Sequence, residues 1–224
     1  MNTCSVIFGP RTRLGIELAR TLPDRLSPRI LVARDDRDED SLTGIDPGAL
    51  IARNDQPVKH QLSGFERVEV YMCALGPIHP GDEAFDAHAE STARDLLVVE
   101  QLLTNVPRAR LHLVFVSSIL ARVGPVPSRS YYAGFKNVVE GRLSRLIAAH
   151  DRALMSVVHP GRLTTSRSVR RPTSLLQTTY QRLARRLIRI GSRDRSLRVA
   201  VGLDARLFTL ARSAVESWQA IVAH

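Results

Sequence analysis

Lysine is nearly absent from this basic chain: Lys59 and Lys136 are the only two among 32 basic residues, so arginine carries almost all of the +10 formal charge. Aromatic residues are also scarce, at 5%. A nucleic-acid surface needs ordered basic residues together with a recognised module or stacking aromatics. The basicity therefore reads as a solvated surface and not as the mark of a nucleic-acid partner. The two cysteines, Cys4 and Cys73, lie in apolar strand-like segments with no histidine or cysteine at metal-ligand spacing. They read as buried reduced thiols, with no metal centre and no nucleophile. No apolar run approaches the roughly 18 residues that cross a bilayer. The strand-like TCSVIFG follows the N-terminus without a charged leader, which predicts a cytoplasmic protein with no membrane partner. No internal repeat is found.

What is present is enough apolar sequence for one well-buried domain: 224 residues, 44% of them hydrophobic. Cys4–Phe8 reads as a strand, Gly9–Arg13 as a turn, and Leu14, Leu18 and Leu22 recur at helical spacing until Pro23. Arg29–Arg34 follows as a second parallel strand, which makes a right-handed βαβ unit. After the acidic stretch from Asp35, a short helix is expected around Ala49–Arg53 and a third strand at Val58–Leu62. Val68–Ala74 reads as a fourth strand and residues 83–103 as a long helix. LHLVFVSS is a buried strand ending at Ser118, a further helix runs to about His150, and LMSVV leads into His159-Pro160-Gly161. His112 and His159 read as structural. Between Arg162 and Arg198 eleven arginines are interspersed with leucines at helical spacing, which predicts an amphipathic helix; an edge strand at Val199–Val201 and a final helix from Ala205 complete the chain. The alternation predicts a single-domain α/β fold, a Rossmann-like, doubly wound parallel sheet with helices on both faces.

One triplet carries chemistry. Tyr132 and Lys136 are four residues apart on one helix face, and Ser118 stands at the carboxyl end of the preceding strand. A phenol of pKa about 10 is a poor proton donor at neutral pH unless a neighbouring ammonium stabilises its phenolate. Tyr131 has Phe135 four residues on, so the lysine register selects Tyr132. Alternation along the strand puts Ser117 on the opposite face.

With Ser118, Tyr132 and Lys136 in this order, the chain resembles a divergent member of the short-chain dehydrogenase/reductase family over residues 3 to about 165. The resemblance implies an NADP(H)-dependent oxidoreductase that reduces a carbonyl or oxidises an alcohol. Ser118, Tyr132 and Lys136 would be catalytic, Tyr132 acting as the general acid/base. The turn Gly9-Pro10-Arg11-Thr12-Arg13-Leu14-Gly15 keeps two of the family's three glycines and would cradle the pyrophosphate. Arg13 replaces the middle glycine; its side chain either obstructs the backbone approach or swings outward to a phosphate. At the end of the second strand Arg34 would pair a 2′-phosphate, which favours NADP; a one-residue shift would put Asp35 on the ribose and favour NAD. Gln61 and Leu62 would flank the adenine, Ala74, Leu75 and Gly76 the ribose, Lys136 the ribose hydroxyls, and Pro160, Gly161 and Leu163 the nicotinamide. The family's relay asparagine would fall near Ser91, where there is none.

The resemblance also implies three regions: a cofactor-binding and catalytic core to residue 165, an Arg-rich substrate lid over 166–198, and a terminal strand and helix over 199–224. The arginines suit an anionic or carrier-bound carbonyl substrate. A homodimer or homotetramer would form through helices 83–103 and 131–149. The competing reading is a non-catalytic NAD(P)-binding redox sensor or scaffold. An epimerase ranks behind it, because the remaining length leaves no room for a sugar-nucleotide-binding domain.

Overall fold

The computed structural model describes residues 2–26, 28–34, 42, 45, 49–53, 62, 64–73, 84–106, 108–123, 130–165 and 176–222. Apolar runs at β1 (Thr3–Phe8), β2 (Arg29–Ala33), β4 (Arg67–Met72), β5 (Arg110–Val116) and β6 (Ala153–Pro160) form the interior of a sheet, where both faces are covered and continuous hydrophobic runs are favoured. With β3 (Leu50–Arg53) and β9 (Arg198–Val201) at its edges, this seven-stranded sheet has the order β3-β2-β1-β4-β5-β6-β9. Every pairing is parallel. Two short strands, β7 (Leu163–Thr164) and β8 (Thr178–Thr179), pair separately. The strand order reverses between β1 and β4, and a crevice opens there at the carboxyl ends of the strands.

The helices are α1 (Arg13–Thr21), α2 (Ala84–Asn105), α3 (Ile119–Val123), α4 (Ser130–Ala148), α5 (Tyr180–Gly191) and α6 (Leu203–Val222). Strand alternation divides the core into two layers. Val6, Phe8, Leu113 and Phe115 pack with Val99 and Leu102 of α2 and with Val139 and Leu143 of α4. Ile7, Tyr71, Val114 and Val158 pack on the other face with Leu14 and Leu18 of α1 and with Leu183 and Leu187 of α5. The segment expected as a lid therefore contains, at Tyr180–Gly191, a helix of the core.

Among the described residues the third strand is Leu50–Arg53, where a short helix was expected, and all of the expected Val58–Leu62 strand but Leu62 lies outside the described residues. Leu50–Arg53 runs beside β2 from Ile30↔Leu50 to Ala33↔Arg53. Its four residues are all half-buried, so they lack the apolar contrast that marks an interior strand.

Beneath α5 the sheet is polar. Ser5, Glu69 and His112 are in register across β1, β4 and β5. Arg67 Nε donates to Glu69 at 3.2 Å, and its other nitrogens donate to Asp194, to Gly191 O and to Arg193 O. Tyr71 donates its hydroxyl proton to the second Glu69 oxygen. Gly191 O also accepts from His112 Nδ1 at 2.9 Å, which leaves His112 Nε2 to accept from Ser156 Oγ at 2.9 Å. Burial and the neighbouring Arg67 hold the His112 imidazole below its ordinary pKa, so it stays neutral. These donors satisfy the carbonyls that end α5, where positive charge is favoured by the helix dipole.

Candidate active site

The crevice at the switch point is a cleft of about 270 Å³. Thr12, Arg13 and Leu14 reach it from the β1–α1 turn, Cys73 from the end of β4, and Ser117 and Ser118 from the end of β5. Tyr132 and Lys136 of α4 line the opposite side, and Pro160, Gly161 and Leu163 close it beyond β6.

The turn is built for close approach. Gly9 has a φ of +69°, a conformation disfavoured for residues with a Cβ. A Cβ on Gly15 would come within 2.7 Å of Pro10 Cα, so the first turn of α1 lies directly on the strand exit. Thr12 caps the helix: its Oγ1 donates to Gly9 O at 2.7 Å and accepts from Gly15 N at 3.0 Å. The start of α1 thereby faces the cleft, an arrangement suited to a phosphate. Arg13 is exposed and lines the cleft at its rim. This geometry and the basic rim fit the diphosphate of a nicotinamide dinucleotide.

Lys136 is 3% exposed. Its Nζ donates to Val116 O at 3.1 Å and lies 5.5 Å from the ring centres of both Tyr132 and Phe115. Burial disfavours the ammonium and pulls the lysine pKa down to about 7. The Cys73 thiol is pushed up to about 12 by the same desolvation, so it is not a nucleophile at neutral pH. Ser118 Oγ accepts from Leu120 N at 3.3 Å and caps the start of α3, which leaves the hydroxyl proton to donate into the cleft. Ser117 also lines the cleft, contrary to the expected alternation, because β5 ends at Val116. Its buried Oγ has no hydrogen-bond partner among the described residues. Strand periodicity beyond the last paired residue gave no signal for it. Tyr180, at the start of α5, is a further wall residue that the sequence did not single out.

Arg34, Arg11 and Leu62 are not among the residues that line this wall. Arg34 is half-buried, and its Nη2 pairs with the buried Asp95 of α2 at 3.1 Å. Arg11 is exposed on the β1–α1 turn. Leu62 belongs to the core. Gln61, Ala74, Leu75 and Gly76 lie outside the described residues. The placement of Gln61 rested on a strand ending at Leu62, whereas the carboxyl end of the third strand is Arg53. Ser91 Oγ, on α2, is buried without a hydrogen-bond partner among the described residues. No helix among the described residues is long and apolar enough to cross a membrane. No group of three or more metal-ligating side chains occurs among them.

No protein-family model and no curated protein matches this chain. Solved structures do. A short-chain dehydrogenase from Streptomyces avermitilis is 16% identical and superposes with a TM-score of 0.68 over 100% of this chain and 98% of its own. A 3-ketoacyl-(acyl-carrier-protein) reductase from Brucella melitensis, complexed with NADH, is 18% identical with a TM-score of 0.69 over 90% and 97%. A short-chain dehydrogenase/reductase from Vibrio parahaemolyticus is 16% identical with a TM-score of 0.64 over 88% and 98%. This chain has the fold of the short-chain dehydrogenases/reductases.

Proposed function

We propose that the protein is a nicotinamide-dinucleotide-dependent oxidoreductase of the short-chain dehydrogenase/reductase type that interconverts a carbonyl and an alcohol. The observation that carries this reading is the single cleft in which the α1 turn, Ser118, Tyr132 and Lys136 converge. Thr12, Leu14 and the amides that open α1 would hold the diphosphate, with Arg13 at the rim. Lys136 would hold the ribose hydroxyls. The bound nicotinamide supplies or accepts the hydride. Tyr132 gives its phenolic proton to the oxygen of the carbonyl as that oxygen gains charge, and takes it back in the reverse direction. An ammonium on Lys136, beside the ring, favours the phenolate and so makes Tyr132 the stronger acid. Ser118 donates to the same oxygen and orients it.

NADP is the preferred cofactor in this reading. Arg34, whose Nη2 pairs with Asp95, follows directly on the end of β2, where a guanidinium suits a 2′-phosphate. The substrate is a small carbonyl compound, anionic or carried on an anionic group. A homodimer through α2 and α4 is supported by Leu97 and Val138, which are 56% and 60% exposed on those helices.

Calorimetric titration with NADPH, NADP, NADH and NAD, followed by a carbonyl screen, tests the reading. The expected result is NADPH binding and a Tyr132→Phe protein that still binds it but loses about 10³-fold or more in kcat. Unchanged turnover in Tyr132→Phe would overturn the mechanism. Dinucleotide binding without any turnover would favour the sensor or scaffold, a reading to which Arg13 in the glycine loop lends weight.

A further inference from the structure

A second cavity, about 470 Å³, lies apart from the cleft. Four of its lining side chains, Arg182, Arg185, Arg186 and Arg189, come from one face of α5, and the fifth arginine, Arg206, comes from the first turn of α6. Ala200, Val201, Gly202 and Leu203 form its back wall at the end of β9, and Thr178 completes it. No acidic side chain lines it among the described residues. None of the five guanidinium groups makes a hydrogen bond or ion pair with any described residue.

The spacing of the four α5 arginines is that of an ordinary solvated helix face, since Leu183, Ala184, Leu187 and Ile188 occupy the buried side. Two features go beyond such a face. The fifth arginine arrives from a different helix, and the sheet edge closes the space between the helices into a concavity. Arginine stays charged at every working pH, so five positive charges border one cavity, and the Asp204 carboxylate beside its Gly202 wall is engaged by the amides of Arg162 and Ala205 and not by these guanidinium groups. Like charges so placed repel until an anion enters, and guanidinium binds phosphate oxygens in pairs.

We propose that this cavity binds a compact cluster of adjoining phosphates, the group shared by inorganic polyphosphate and nucleoside polyphosphates, independently of the hydride-transfer cleft. A nucleic-acid strand fits less well. Its phosphates are spread along a backbone and its bases seek aromatic faces, and no aromatic residue lines this cavity among the described residues. The cavity also stands within reach of the cleft wall. Asp204, on the first turn of α6 between Leu203 and Arg206, accepts from Arg162 N at 2.7 Å, next to Gly161 of the cleft.

The test is calorimetric titration of the full chain with tripolyphosphate, ATP and a single-stranded oligonucleotide at near-physiological salt. Tripolyphosphate is expected to bind, and Arg185→Gln/Arg186→Gln to weaken it about tenfold or more, while Arg13→Ala at the cleft rim leaves it unchanged. Should the first double variant fold poorly by circular dichroism, Arg182→Gln/Arg189→Gln serves as the second test. ATP tighter than tripolyphosphate identifies the nucleoside form as the ligand, and equal affinity identifies phosphate alone. Absence of binding, a loss that follows Arg13 and not the α5 arginines, or tighter binding of the oligonucleotide than of tripolyphosphate would each overturn the proposal.

Discussion

Lys136 is buried as deeply as the leucines around it, and its charge depends on what occupies the cleft. With a pKa brought down to about 7, the lysine of the free protein is only partly protonated at neutral pH. In the proposed binding mode, ribose hydroxyls accepting from Nζ and the negative phosphates across the cleft both favour the ammonium and raise that pKa. Dinucleotide binding is therefore expected to take up a fraction of a proton between about pH 7 and 9, the window just above the free-state value. Titrations in buffers of different ionisation enthalpy read this directly, and Lys136→Met is expected to abolish the uptake. The relation of Lys136 to Tyr132 was legible in the sequence, because a four-residue separation on a helix fixes a shared face. Ser117 was not. Alternation holds only while the strand is paired, and β5 ends one residue earlier.

At the scale of elements, α5 joins the two ends of the molecule. Tyr180 at its start lines the cleft, with Thr179 Oγ1 capping the helix by accepting from Arg182 N at 3.2 Å. Its last turn is held from below by Arg67 and His112. Arg67→Met removes the charge facing the buried Glu69 and one donor to Gly191 O. It is expected to cost about 3–5 kcal/mol in urea unfolding, the penalty of stranding a buried carboxylate. Arg67→Met/Glu69→Leu should recover much of that loss, because removing both partners leaves no unpaired charge. The helix itself was readable from leucine spacing, whereas its clamp was not: Arg67, Glu69, His112 and Ser156 come from three strands and meet only through register. The same limit hid the strand at Leu50–Arg53, expected as a short helix. Leu50–Arg53 is short and half-buried, and its partner β2 defines it more than its own pattern does.

For the molecule as a whole, strand and helix alternation was enough to give the doubly wound order, while the pH response comes from buried groups that only the fold brings together. His159 is 1% exposed, between Glu140 of α4 and Arg198 of β9. Burial, with Arg198 and Arg122, pulls its imidazole down to about 4. In the unfolded chain it binds a proton near pH 6.5, so stability is fully present above 6.5 and is lost as pH falls toward 4. Lys136 has the same sign in a higher window, with stability rising between about pH 7 and 10.5. Chemical unfolding across pH is expected to lose on the order of a few kcal/mol through the acid limb, and His159→Gln is expected to flatten that limb and leave the alkaline one intact. The position of β9 has a separate consequence. As the last strand of the sheet among the described residues, it has one row of backbone donors and acceptors that no described strand pairs, the kind of edge on which another chain can extend a sheet. The arginines of α5 flank that edge through the wall they share with Ala200 and Val201. Two copies meeting strand to strand there would bring like-charged arginine rows toward each other, which opposes such a pairing.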